Sequence, residues 1–168
     1  MPRPSAPPVL DADNVRFVQG GVSIILASRD AANRPNLVRA LGCRVDRDGR
    51  RVTVFVAASQ AAALLDDLRG NGRIAAVFTQ PTTHRSLQLK GSDAVVARLR
   101  RDDRPRLAAY GDAMVVELEQ MGVSEAHTRS MLACEPDDVL AVSFTPAAAF
   151  VQTPGPDAGA PLGTVPCS

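Results

Sequence analysis

Two arginines and a serine are the residues of this chain best placed to do chemistry. Arg39 and Arg44 stand five positions apart in the run NLVRALGCRV, and Ser59 with Gln60 follows the apolar run VTVFVAA. The DRDG between the runs has Asp and Gly where a tight turn needs them, so residues 36–57 read as a β-hairpin. Ser59 reads as the N-cap of a following helix. Guanidinium forks and the free N–H groups of a helix start both favour phosphate oxygens, so Arg39, Arg44 and Ser59 compose a candidate anion site. The spacing works against it, because an odd separation on a regular strand sends side chains to opposite faces. Gly42 would have to act as a bulge that re-aims one of them. The alternative is one arginine facing solvent and the other in a surface ion pair.

The elements that would position these groups follow from pattern. Residues 1–13 carry four prolines and read as an extended arm, with the arm ending at 14. VRFVQGG (15–21) is a short helix or an entry segment, and VSIILAS (22–28) is a β-branched apolar run expected to be a buried strand. SQAAALLDDLRGNG (59–72) is a helix ended by its glycines. RIAAVFTQ (73–80) is a strand. HRSLQLKG (84–91) alternates Leu87 and Leu89 with polar residues, which marks a strand with one wet face, continued by SDAVVARL past a bend at Gly91. Asp102 or Asp103 caps a helix over 103–121, and Ser124 starts a shorter one. VLAVSF (139–144) is the last strong strand, extended by AAAFV (147–151). The tail from 152 to 168 is rich in Pro and Gly and is expected to lack regular structure. Strands mostly follow one another without crossover helices, so the fold class expected over residues 15–151 is α+β, an antiparallel split β-barrel with peripheral helices.

Composition narrows the function classes. A chain of 168 residues is large enough for one core without disulfides or metals. A net charge of +1 gives no electrostatic case for nucleic acid or an anionic membrane. The basic run RLRRDDRPR (98–106) is interrupted by two aspartates and reads as a solvated helix entry. No run of 18 apolar residues exists, and MPRPSAPPVLDAD has no apolar core of a signal peptide, so a soluble cytoplasmic protein is expected. Cys43, Cys134 and Cys167 are odd in number and lack CxxC spacing, which argues against a disulfide framework and a structural zinc site; no metal is expected.

The sequence R39-ALGC-R44, the turn, VTVFVAASQAAALL and then HRSLQLKG resembles the FMN-binding split-barrel family of pyridoxamine 5′-phosphate oxidase and its relatives, over about residues 20–100. In that family a strand Arg and a Lys five residues later meet the flavin phosphate and ring edge; the matching positions are Arg39 and Arg44. The family serine at the helix start matches Ser59. The basic residue after it becomes Gln60, and the phosphate-binding Lys becomes Ala61. Arg85 keeps a family arginine, while Ser86 stands where a Gln approaches the flavin. Phe55 and Val56 replace a polar pair, and the C-terminal substrate-binding Arg and His of the oxidases have no match. Loss of the contact at Ala61 alone would weaken flavin binding some 10- to 150-fold, since a hydrogen bond to a charged group contributes roughly 1.5–3 kcal/mol.

The resemblance implies an FMN-dependent oxidoreductase acting on a small substrate, as a homodimer with cofactor sites between the copies. There the cofactor supplies the redox chemistry and the chain supplies position and electrostatics. The competing reading is a non-catalytic split-barrel protein, or one that holds haem or a deazaflavin, with His84 and His127 the only imidazoles available to a haem iron.

Overall fold

The computed structural model describes residues 10–162. Among the described residues there are nine strands and four helices. α1 is Ala12–Val18, β1 Ser23–Arg29, β2 Pro35–Arg39, β3 Cys43–Val45, β4 Val52–Ala57, α2 Ala62–Asn71, β5 Ile74–Thr79, β6 Ser86–Gly91 and β7 Val95–Arg98. α3 is Arg104–Glu119, α4 Glu125–Met131, β8 Val139–Phe144 and β9 Ala148–Val151. The strands form two sheets, β2-β1-β5-β6-β9 and β3-β4-β8-β7, and every pairing is antiparallel. The expected fold class, an antiparallel split barrel in an α+β setting, is borne out.

Two stretches that read as single bent strands are divided between the sheets. Ala40 donates its amide to Ile24 of the five-stranded sheet, and the next residue, Leu41, donates to Phe55 of the four-stranded one. The chain therefore turns a corner at 40–42, and the expected hairpin over 36–57 is instead β2 in one sheet and β3–β4 in the other. Gly42 allows the corner because its φ is +122°, and a Cβ there would lie 3.1 Å from Cβ of Tyr110. Gly91 marks the second crossing, from β6 to β7. A Cβ on it would meet the Phe144 ring at 2.8 Å and the Thr145 carbonyl at 2.9 Å.

The core follows from alternation. Along β1, Ile24 and Leu26 point inward and are fully buried, as are Ala76 and Phe78 of β5 and Leu89 of β6. β4 is buried on both faces. Val52, Val54 and Val56 join the main core, whereas Phe55 and Ala57 face a second cluster with Leu41, Val139 and Ala141, roofed by Leu107 of α3 and Leu132. α2 buries Leu64, Leu65 and Leu68 against the sheets and ends at Gly72 with φ +66°. α1 starts at Ala12, so the expected arm gives its last residues to a helix capped by Asp11; residues 1–9 lie outside the described residues. The described part of the tail turns back on β9, with the Leu162 amide donating to Ala149 and Pro161 bridging Phe150; 163–168 again lie outside.

Candidate functional site

Arg39 ends β2 on the outward face of the five-stranded sheet, where Nη1 donates to the Ser23 hydroxyl at 3.2 Å. No carboxylate pairs with it among the described residues. Its charge is felt by Tyr110, which is buried behind the corner and donates its phenol O–H to the Val22 carbonyl at 2.8 Å. Burial pushes the Tyr110 phenol well up, with Arg39 opposing in part. Tyr110 is thus a fixed donor that holds α3 to the segment just before β1, not an acid in waiting.

Arg44 lies elsewhere. β3 belongs to the other sheet, and Arg44 is buried, with Nε 2.7 Å from Asp103 and Nη1 3.1 Å from Asp46. The other Asp103 oxygen accepts the Arg100 amide at 2.9 Å, so this carboxylate is spoken for on both sides. The structure does not bring Arg39 and Arg44 together on one sheet.

Ser59 is not the cap of α2. It sits in a 3-10 turn, Ala58–Gln60, and the cap position is Ala61, which offers no side-chain bond. The Ser59 amide donates to Asp138 at 3.0 Å, and its hydroxyl donates to the second Asp138 oxygen. The register explains the contact: Ala57 pairs with Val139, which sets the residue before β8 beside the turn after β4. A carboxylate of the chain itself takes the donors that a phosphate would use. Gln60 is exposed beside it.

Arg85 and Ser86 form a third locale at the start of β6. Arg85 donates to Asp13 at 2.7 Å and Asn14 at 3.1 Å of α1, and its guanidinium stacks 4.2 Å from the Phe17 ring centroid. Ser86 is buried, with its hydroxyl bonded to Thr79 and donating to the His84 carbonyl at 3.0 Å; its amide donates to Thr153. His84, in the turn just before, holds φ +60°.

The fit to FMN can be tested on these contacts. A flavin phosphate needs donors free of anions, and two of the three candidate donors, Arg44 and the Ser59 turn, already hold Asp103 and Asp138, which leaves only Arg39 without a carboxylate among the described residues. Ala61, buried at the helix start, adds none. The chain does not present the family's phosphate cradle. Asp103 and Asp138 are the residues that sequence reasoning missed in this role. Asp103 was visible only as a helix cap, and Asp138 only through the pairing of β4 with β8.

The two cysteines among the described residues are quiet; Cys167 lies outside them. Cys43 donates its thiol to the Val18 carbonyl, and burial pushes it up to about 12, so it carries no thiolate. Burial also pushes up Cys134, with Asp138 and Glu135 adding to the effect. Among the described residues, no group of three His, Cys, Asp or Glu is placed to hold a metal, and no helix is long and apolar enough to cross a membrane.

The architecture is that of the pyridoxamine 5′-phosphate oxidase-like split barrels, as the sequence resemblance implied. Among solved structures, the HupZ protein of Group A Streptococcus is similar with a TM-score of 0.54 and 14% identity, over 89% of this chain and 100% of that one. A pyridoxamine 5′-phosphate oxidase candidate from Lactobacillus delbrueckii is similar with a TM-score of 0.53 and 14% identity, over 84% and 93%. An F420 reductase is similar with a TM-score of 0.53 and 12% identity, over 79% and 92%. At these identities the likeness is one of fold. The sequence matches no family model and no curated protein.

Proposed function

We propose that this protein is a homodimeric split-barrel binding protein whose ligand is not anchored as a flavin phosphate at Ser59. The Ser59–Asp138 contact carries this reading. The amide and hydroxyl that would receive a phosphate receive a carboxylate of the same chain, and a second anion there would meet like charge. The homodimer is supported by the outward face of the five-stranded sheet. Ile25 pairs in register with Val77, and Leu37, the partner of Ala27 one row away, is 65% exposed, an apolar patch bordered by Arg39 that a second copy would cover.

A second reading, an FMN- or deazaflavin-dependent oxidoreductase acting on a small substrate, is favoured by Arg39, a guanidinium on that same face without an acidic partner among the described residues. Fold likeness to an F420 reductase and an oxidase candidate supports it too. Haem belongs with the first reading, with His84 and His127 as candidate ligands.

Absorbance spectra decide between them. Wild-type protein is expected to purify colourless and to bind added FMN weakly, whereas Asp138→Asn, which removes the resident anion, binds FMN at least tenfold more tightly. A yellow wild-type protein carrying stoichiometric FMN would end the first reading. A Soret band on haemin titration, lost in His84→Ala or His127→Ala, would identify haem as the ligand.

A further inference from the structure

At the end of the five-stranded sheet remote from Arg39 lies a groove of about 570 Å³ that none of the candidate cofactor residues lines. Arg29, Arg73 and Lys90 stand around it, and among the described residues no acidic side chain does. None of the three forms an ion pair among the described residues. Arg29 donates to the side-chain oxygen of Asn33 and Lys90 sits 5.3 Å from the centroid of the Phe150 ring, while the Arg73 side chain is exposed.

The nearby acids do not line the groove, although Asp67 bonds one of its lining residues, Ser28. Asp30 accepts from Arg34 at 2.8 Å, Asp67 accepts from Ser28 at 2.6 Å and Asn36 at 2.8 Å, and Asp93 accepts the Thr145 amide at 2.8 Å. Asp93 also lies 3.6 Å from Arg51. Three cations at one groove with no facing acid concentrate positive potential there.

The floor has a shape of its own. Ala27 and Ala75 are cross-strand partners, and Lys90 is the next partner across. One row away the same strands carry Ile25 and Val77. Methyl side chains in place of branched ones leave a shallow shelf walled by cations, with Leu37, the β2 partner of Ala27, at its other edge.

We propose that this groove binds a small organic dianion of the phosphate-ester class, its flat apolar body on the Ala27–Ala75 shelf and its charged group among Arg29, Arg73 and Lys90. Planar guanidinium forks suit phosphate oxygens, and an ammonium adds a point charge. The volume fits a metabolite-sized ligand.

The test uses 1-naphthyl phosphate, 1-naphthoate and 1-naphthol with the full chain, followed by amide chemical shifts. The phosphate is expected to bind saturably, with shifts at residues 27–29, 73–75 and 90–92, the carboxylate more weakly and the neutral alcohol not at all. Arg73→Ala and Lys90→Ala should each weaken the phosphate about tenfold or more. Both side chains are exposed, so these variants fold, and a melting curve checks it. Equal binding of 1-naphthol, or affinity within twofold of wild type in both variants, overturns the proposal. Shifts confined to Arg39 or to Ser59 also overturn it, and would instead bear on the cofactor reading.

Discussion

Arg44 and Asp103 meet at 2.7 Å in the interior, the carboxylate wholly buried and the arginine side chain 11% exposed. The pair ties β3 of the four-stranded sheet to the turn that starts α3. It is also why the more distal of the two candidate cofactor arginines has no charge to offer a ligand.

Removing Arg44 leaves the buried Asp103 charge unpaired, which costs about 3–5 kcal/mol, whereas removing Asp103 leaves Arg44 its second partner, Asp46. Arg44→Ala is expected to lower the unfolding free energy in urea by that amount, and Asp103→Ala by less. The double change Arg44→Met with Asp103→Leu should recover most of it, because packed apolar side chains replace a buried pair at little cost. A loss below about 1 kcal/mol for Arg44→Ala would show that the guanidinium is solvated and free, contrary to this placement.

The corner glycines should be as sensitive as any core residue. Gly42 combines a φ of +122° with Tyr110 only 3.1 Å from where a Cβ would sit, so Gly42→Ala strains backbone and packing together. A residue held in such a region costs of order 1–3 kcal/mol, before any clash. Gly42→Ala and Gly91→Ala should both lower the melting temperature by several degrees, while Gly70→Ala, with open space around it, should not.

Much of the fold was legible because its elements are locally consistent. β1, β5 and β8 announce themselves by apolar runs between breakers, and α4 by Ser124, whose hydroxyl accepts the His127 amide as expected of a cap. The two corners were not legible. A glycine within a strand pattern signals a bulge or a change of sheet equally well, and only the long-range partners of Leu41 and Val95 choose between them. The candidate site failed to be legible for a related reason. Arg44 and Ser59 have the residue types of an anion site, but their partners come from positions 59 and 79 residues further along the chain. Local sequence carries no trace of a carboxylate delivered by tertiary pairing.

Glu117 should make stability depend on pH. It is buried on α3 and accepts the Thr82 amide at 3.0 Å, the Thr82 hydroxyl and the Gln80 side chain, pinning the turn before β6. Burial raises its carboxyl, but the hydrogen bonds from Thr82 and Gln80 outweigh that and hold it below the ordinary value of 4.5. A carboxyl held low in the folded state stabilises the fold above its ordinary value, and that contribution is lost as the pH falls through the folded one. Glu117→Gln should therefore be less stable than wild type at neutral pH, by about 1–3 kcal/mol, with the gap closing on acidification. A gap that does not change between pH 7 and about pH 3 would remove the ionised carboxylate from the account.

The apolar face of the five-stranded sheet makes the proposed dimer testable without any ligand. Ile25 and Val77 are half-buried cross-strand partners on it, and Leu37, the partner of Ala27, projects one row away. Val77→Asp places a charge where a second copy would exclude water, and an unpaired buried charge disfavours association strongly. Because the side chain points away from the barrel core, the monomer itself should keep its secondary structure and most of its stability. Sedimentation equilibrium should then show wild type at twice the chain mass of 17.7 kDa and Val77→Asp at the chain mass. Wild type sedimenting as a monomer across micromolar concentrations would leave that face for another partner, and with it any site that needs two copies.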